Sequence, residues 1–124
     1  MQDQPTPEEL IQAVADFLRT EIAPGISGHH AFKLRVSINA LDLVTRQLRL
    51  EPGSDAAEAA RLTRLLDEAG TLAELNRALA DRIAMGEADL QTPGLAAHLW
   101  QTTMDKLAVD QPNYTAYKRE LGSK

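Results

Sequence analysis

Apolar residues recur at steps of three and four along most of the chain, and this spacing is typical of amphipathic helices. Short polar joints that contain proline or glycine separate the apolar segments. They predict five helices, which begin and end near Thr6 and Pro24, Ser27 and Leu50, Ser54 and Gly70, Thr71 and Gly86, and Thr92 and Pro112. No alternating segment is long enough for a strand. Because short joints favour antiparallel neighbours, we expect an all-α fold, a single up-and-down bundle of about five helices over residues 1–124.

Local sequence signals support several of these helix ends. Thr6 and Glu9, and again Thr71 and Glu74, have the spacing of a capping box, in which each side chain bonds to the backbone of the other residue. The pair Pro52-Gly53 combines a residue that removes a helical hydrogen bond with one that favours turns. We therefore expect the second helix to stop there and a separate third helix to follow.

The apolar faces of the helices are expected to form the core. In the first helix this face consists of Leu10, Ile11, Val14, Phe17 and Leu18. Trp100 shares a face of the fifth helix with Leu107, so it is predicted to be buried, with a protein interface as the alternative. Residues 113–124 predict a short turn of helix with a frayed end over residues 115–124.

One polar stripe interrupts the mostly apolar second helix. Its members follow one another at steps of four, three, four and three: Arg35, Asn39, Asp42, Arg46 and Arg49. Asn39 is a poor helix-interior residue and lies near the apolar border, so a polar network between helices is one interpretation. Contact with a ligand or partner is the second. An exposed face with an ordinary pair between Asp42 and Arg46 is the third.

The charge balance narrows the classes of partner. The net charge is -5, so the molecule as a whole repels phosphate backbones, and a nucleic-acid partner is not expected. The second helix differs, because Lys33, Arg35, Arg46 and Arg49 outnumber its one acid. An anionic partner is therefore expected to meet this helix first.

Cysteine is absent, which excludes disulfides, thiolate metal sites and a cysteine nucleophile. The N-terminal residues MQDQPTPEEL are acidic and have no apolar signal region, and no apolar run reaches the length of a membrane span. We expect a cytoplasmic protein that does not bind membranes.

Signatures of catalysis and metal binding are weak. His29 and His30 are neighbours, and side chains of adjacent helical residues point about 100° apart, so the two rings do not converge on one ion. The chain has no glycine-rich phosphate loop, no GxGxxG, no HExxH and no GxSxG motif. We therefore expect no catalytic residues, no metal and no cofactor.

Three segments together resemble a known family: PEELIQAVADFLRTEIAP, HAFKLRVSINALDLVTRQL and HLWQTTMDKLAVDQPNY. The chain is similar over nearly its whole length to small bacterial proteins of unknown function that are commonly encoded beside an aminoglycoside-phosphotransferase-like kinase and an acyl-CoA dehydrogenase. The most specific positions are Arg35-Val36, Asn39-Ala40-Leu41, Lys106-Leu107-Ala108, Pro112 and Tyr114. The resemblance implies a helical fold and names no catalytic residue.

The gene neighbourhood implied by this resemblance suggests a function. A kinase that phosphorylates the hydroxyl of an acyl-CoA would turn it into a good leaving group. We expect this chain to be the non-catalytic accessory subunit of such a kinase, which contacts its partner through the polar stripe defined above. One alternative is a stand-alone helical binding module for an acyl-CoA or another small anion. A homodimeric structural protein is the other.

Overall fold

The computed structural model describes residues 4–122, and within this range it is all-α, as predicted. Its helices are α1 (Pro7–Phe17), α2 (His29–Leu66), α3 (Leu72–Ala84), α4 (Leu95–Asp110) and α5 (Thr115–Gly122). The chain divides into an N-terminal unit, Met1–Glu51, and a C-terminal unit, Pro52–Lys124. None of the helices in the described range is long and apolar enough to span a membrane.

Helix α1 begins as the sequence predicts. The Thr6 hydroxyl accepts a hydrogen bond from the Glu9 backbone N–H, and the Glu9 carboxylate accepts one from the Thr6 backbone N–H. The regular α-helix ends at Phe17, earlier than predicted. A π-helical turn, Leu18–Ile22, and a 3₁₀ turn, Ala23–Gly25, continue the chain to the predicted stop.

Helix α2 corrects the prediction of two separate helices. It runs for 38 residues, straight through Pro52 and Gly53. Pro52 cannot donate to the carbonyl of Leu48, but residues 47–53 are all exposed, so water can satisfy that carbonyl. The helix ends at Leu66 and not at Gly70, because Asp67 has a φ of 53° and turns the backbone into the left-handed region.

The C-terminal unit has the larger buried core. It consists of Leu62 and Leu66 from α2, Leu75 and Leu79 from α3, and Ala88 and Leu95. The predicted capping box at Thr71 and Glu74 starts α3. Arg82 of α3 donates to the Leu66 carbonyl at the end of α2 (3.1 Å), which satisfies one of its free terminal acceptors.

Helix α4 corrects the prediction for Trp100, whose ring is half exposed. The buried residues of this helix are Leu95, His98 and Met104. Trp100 follows His98 by two positions, about 200° around the helix, so it lies on the side opposite His98. Helix α5 takes the place of the predicted C-terminal turn, and residues 123–124 of the predicted frayed end lie outside the described range.

Candidate functional site

Two members of the predicted polar stripe belong to the internal bonding of the N-terminal unit. The Asp42 carboxylate pairs with Arg19 from the π-helical turn after α1, and Arg49 donates to the Glu8 carboxylate of α1 at 2.8 Å. Both pairs join α2 to the preceding segment. Since the side chains are partly exposed to water, each pair is worth at most about 1 kcal/mol.

The other members of the stripe have different surroundings. Arg35 and Asn39 are exposed, so Asn39 is not a buried amide within a network between helices. The Arg35 guanidinium lies 5.9 Å from the centre of the Phe32 ring, in a cation–π contact. Arg46 is half-buried and has a partner within the protein. The stripe is therefore not one continuous site: Asp42 and Arg49 hold helices together, and Arg35 and Asn39 face solvent.

Large apolar side chains are exposed beside Arg35 and along α1. Phe32, Val36, Leu10, Val14 and Phe17 are each between 50% and 57% exposed. The three from α1 were predicted to face the core. We call these five residues the exposed apolar set.

The second half of α2 and the first part of α4 line an open cavity of about 1060 Å³ in the C-terminal unit. We call it the α2–α4 cavity. Its lining comes from α2 (Gly53, Ser54, Ala57, Ala60, Arg61, Arg64, Leu65), the joint before α4 (Thr92, Pro93, Gly94) and α4 itself (Ala97, His98, Gln101, Asp105). Most of these side chains are small, which is why the space between the two helices stays open.

Arg61 and His98 connect the two walls of the α2–α4 cavity. The Arg61 Nε–H donates to His98 Nδ1 at 3.0 Å, and one Nη donates to the Thr102 hydroxyl at 3.3 Å. His98 is only 3% exposed. Because its Nδ1 accepts a hydrogen bond, the neutral ring carries its proton on Nε2.

The surroundings of His98 hold it in the neutral form. Burial lowers the pKa of His98 and the positive charge of Arg61 lowers it further, while Glu58 acts in the opposite direction. Glu58 itself accepts a hydrogen bond from Asn76 of α3. His98 is therefore a neutral donor and acceptor at neutral pH, so its hydrogen bond with Arg61 leaves the arginine's positive charge uncompensated.

The charged side chains of the α2–α4 cavity are unevenly placed. Arg64 has no carboxylate oxygen within 4.0 Å in the part of the chain that the structure describes, and neither has Arg61. Asp105, the acid of the lining, accepts a hydrogen bond from Gln101. It follows His98 by seven residues, which is about 10 Å along the helix.

The histidine pair of the sequence analysis lies elsewhere. His29 and His30 are exposed at the start of α2, with ring centres 6.2 Å apart. Across residues 4–122, no three histidine, cysteine or acidic side chains are grouped so that they could hold a metal ion.

Sequence reasoning missed the α2–α4 cavity and its arginines. A signal for it is visible in the sequence, since Gly53, Ala57, Ala60 and Arg64 recur at steps of four, three and four and so lie on one side of a helix. The expected break at Pro52 concealed this continuity. Nor does spacing within one helix reveal that Arg61 meets His98, which is 37 residues away.

Comparison with models of protein families matches residues 24–114 to a domain of unknown function, DUF6285. The match covers α2, α3 and α4, and it includes every residue that lines the α2–α4 cavity. No curated protein and no solved structure matches the chain.

Proposed function

We propose that this chain, which belongs to the DUF6285 family, is a non-catalytic subunit that binds another protein through the exposed apolar set of its N-terminal unit. The observation that carries this proposal is the exposure of those five side chains. Burial of a large apolar side chain stabilises a protein by roughly 1.5 to 3 kcal/mol, so their exposure leaves free energy available for association.

The arrangement of helix α2 supports a partner on its outer side. Ile38 and Thr45 are buried and lie seven residues apart on one side of the helix. Phe32 and Val36 lie about 120° to 160° around the helix from Ile38, so a partner can cover them without disturbing the packing inside the unit. A convex helix surface of this kind fits a protein groove.

Charge specifies the chemistry of the partner. Lys33 and Arg35 follow Phe32 by one and three residues, and neither has a carboxylate within 4.0 Å in the described range. We infer a partner surface with an apolar centre and carboxylates at its rim, which would attract these cations. Asn39 lies on the same exposed side and supplies a neutral polar contact at the rim.

The resemblance described above makes a phosphotransferase-like kinase the first partner to test. Such an enzyme would itself supply the phosphate-binding groups and the base, for which this chain has no recognisable motif. In this assignment Asp42 and Arg49 hold α2 against the turn after α1 and α1 itself, while Arg35 and Asn39 contact the kinase.

Co-expression and size-exclusion chromatography with light scattering test the proposal. The chain is expected to elute with a neighbouring-gene phosphotransferase-like kinase as one complex. Phe32→Ser and Val36→Ser are each expected to weaken that complex by about 30-fold or more, since central apolar anchors dominate interface energies. Leu90→Ser is the matched control, because Leu90 is 72% exposed and belongs to the C-terminal unit.

Three outcomes would contradict the proposal. One is the absence of a complex. Another is a complex that Phe32→Ser weakens no more than Leu90→Ser does. The third is self-association of the purified chain through Phe32 and Val36, which would favour a homodimer.

A further inference from the structure

The α2–α4 cavity holds charged groups that the proposed function does not use. We propose that it binds an organic anion, a carboxylate or phosphate attached to an apolar body, whose anionic head contacts Arg61 and Arg64. All of the residues concerned belong to the C-terminal unit, so this proposal does not depend on the exposed apolar set.

Space for the apolar body comes from small residues on both helices. Ala57 and Ala60 of α2 and Ala97 of α4 all line the cavity. Side chains of neighbouring helices normally interdigitate and fill the space between them, but alanines are too short to do so. The volume of about 1060 Å³ is at the upper end for sites of drug-sized ligands.

The two arginines select for negative charge. Arg61 is half-buried, and its hydrogen-bond partners are the neutral groups of His98 and Thr102. These partners orient the guanidinium without neutralising it. A partly buried cation without a counter-charge is costly, and an anion in the cavity would remove that cost.

The fold separates the basic end of the cavity from its acidic end. Arg64 lies one turn beyond Arg61, next to Leu65, whose Cδ2 lies 3.2 Å from the position that a Cβ of Gly94 would occupy. At this end begins α4, whose first backbone N–H groups favour an anion. Asp105 lies in the opposite direction along α4. The anionic head therefore belongs at the Arg64 end and the body along the alanines.

Titration of the full chain with three single-chain amphiphiles tests this inference. The probes are decanoate, decyl phosphate and decylamine, each used below its micelle concentration, with calorimetry and amide chemical shifts as readouts. We expect one molecule of decanoate or decyl phosphate to bind saturably and to shift the amides of Ala57, Ala97 and His98. Whichever of these two anions binds more tightly shows whether the cavity prefers a carboxylate or a phosphate head group. Decylamine is expected not to bind there.

Matched charge changes give the second arm of the test. Arg64→Gln is expected to lower affinity by about tenfold or more, because a charge-assisted contact is lost. Arg64 makes no side-chain hydrogen bond within the described residues, so this change leaves the fold intact. Arg77→Gln removes the same charge from an exposed site on α3 outside the cavity and is expected to have no effect.

Any of three results would overturn the inference: no saturable binding of either anion, equal binding of decylamine, or equal losses in Arg64→Gln and Arg77→Gln. Shifts confined to Phe32, Val36 and the apolar side of α1 would also overturn it, because they would place the amphiphile on the N-terminal unit. A kinase complex that forms normally while anion binding fails would remove this inference alone.

Discussion

The two units of the chain use apolar residues differently. In the N-terminal unit the buried residues are Ala15, Ile38 and Thr45, within the part of the chain that the structure describes. The C-terminal unit packs leucines from α2, α3 and α4 into one cluster around Leu62. Among residues 4–122, the N-terminal unit, which has fewer residues, has ten exposed large apolar side chains and the C-terminal unit has seven.

This contrast separates stability from recognition. Apolar area that is already buried contributes to folding, and area that stays exposed is available for binding. Leucines of the C-terminal core should therefore matter for stability. Equivalent residues of the N-terminal unit should matter for association and much less for the fold.

The same substitution in both units tests this contrast most strongly. Leu62 is fully buried, so Leu62→Ala is expected to lower the free energy of unfolding by about 3 to 4 kcal/mol, through lost burial and the resulting cavity. Leu10 is half exposed, and Leu10→Ala is expected to cost no more than about 1 kcal/mol. Urea denaturation measures both. Equal costs would show that α1 packs as tightly as the C-terminal core.

Acidification tests the role of the buried histidine of the C-terminal unit, His98. Because the pKa of folded His98 is lowered, the unfolded chain takes up a proton first as the pH falls. The contribution of neutral His98 to the free energy of unfolding is complete above about pH 6.5, the pKa of a histidine in the unfolded chain, and it declines below that pH. Because one proton is involved, the free energy of unfolding falls by at most about 1.4 kcal/mol per pH unit.

Stability curves between pH 7.5 and 5.5 measure this decline. His98→Gln keeps an acceptor for Arg61 and should flatten the curve. The capping glutamates act at lower pH, since hydrogen bonds from the backbones of Thr6 and Thr71 hold the pKa values of Glu9 and Glu74 below the ordinary value of a glutamate. A slope that survives in His98→Gln would assign the pH dependence to another group.

The two capping boxes provide the finest test, because their hydrogen bonds have the same lengths, 2.8 and 3.1 Å. Thr6→Ala and Thr71→Ala should each weaken their own helix by about 1 kcal/mol. Amide hydrogen exchange at Leu62 is expected to accelerate in Thr71→Ala only, since α3 contributes Leu75 and Leu79 to that core. Acceleration of similar size in Thr6→Ala would mean that the two units unfold together.

The sequence predicted best where neighbouring residues decide the structure. Both capping boxes form as expected, because the partners lie three residues apart and need no other part of the chain. The predicted helix end at Pro52 was wrong. The free-energy cost of a proline inside a helix depends on whether water can reach the carbonyl that loses its hydrogen bond, and the exposure of residues 47–53 is a property of the folded chain. The prediction that Trp100 is buried was wrong for a related reason. The spacing of residues defines the faces of a helix, but it does not show which face another helix covers.

By itself the sequence determined the all-α class, most helix starts and the local concentration of positive charge on α2, because periodicity, capping and charge are properties of short segments. Tertiary structure alone decided which charges are paired. It joined Asp42 to Arg19 and Arg49 to Glu8, left Arg35 in solvent, and brought Arg61 to a histidine 37 residues away. Such contacts depend on the packing of helices that are distant in sequence, so no pattern within a single helix contains them.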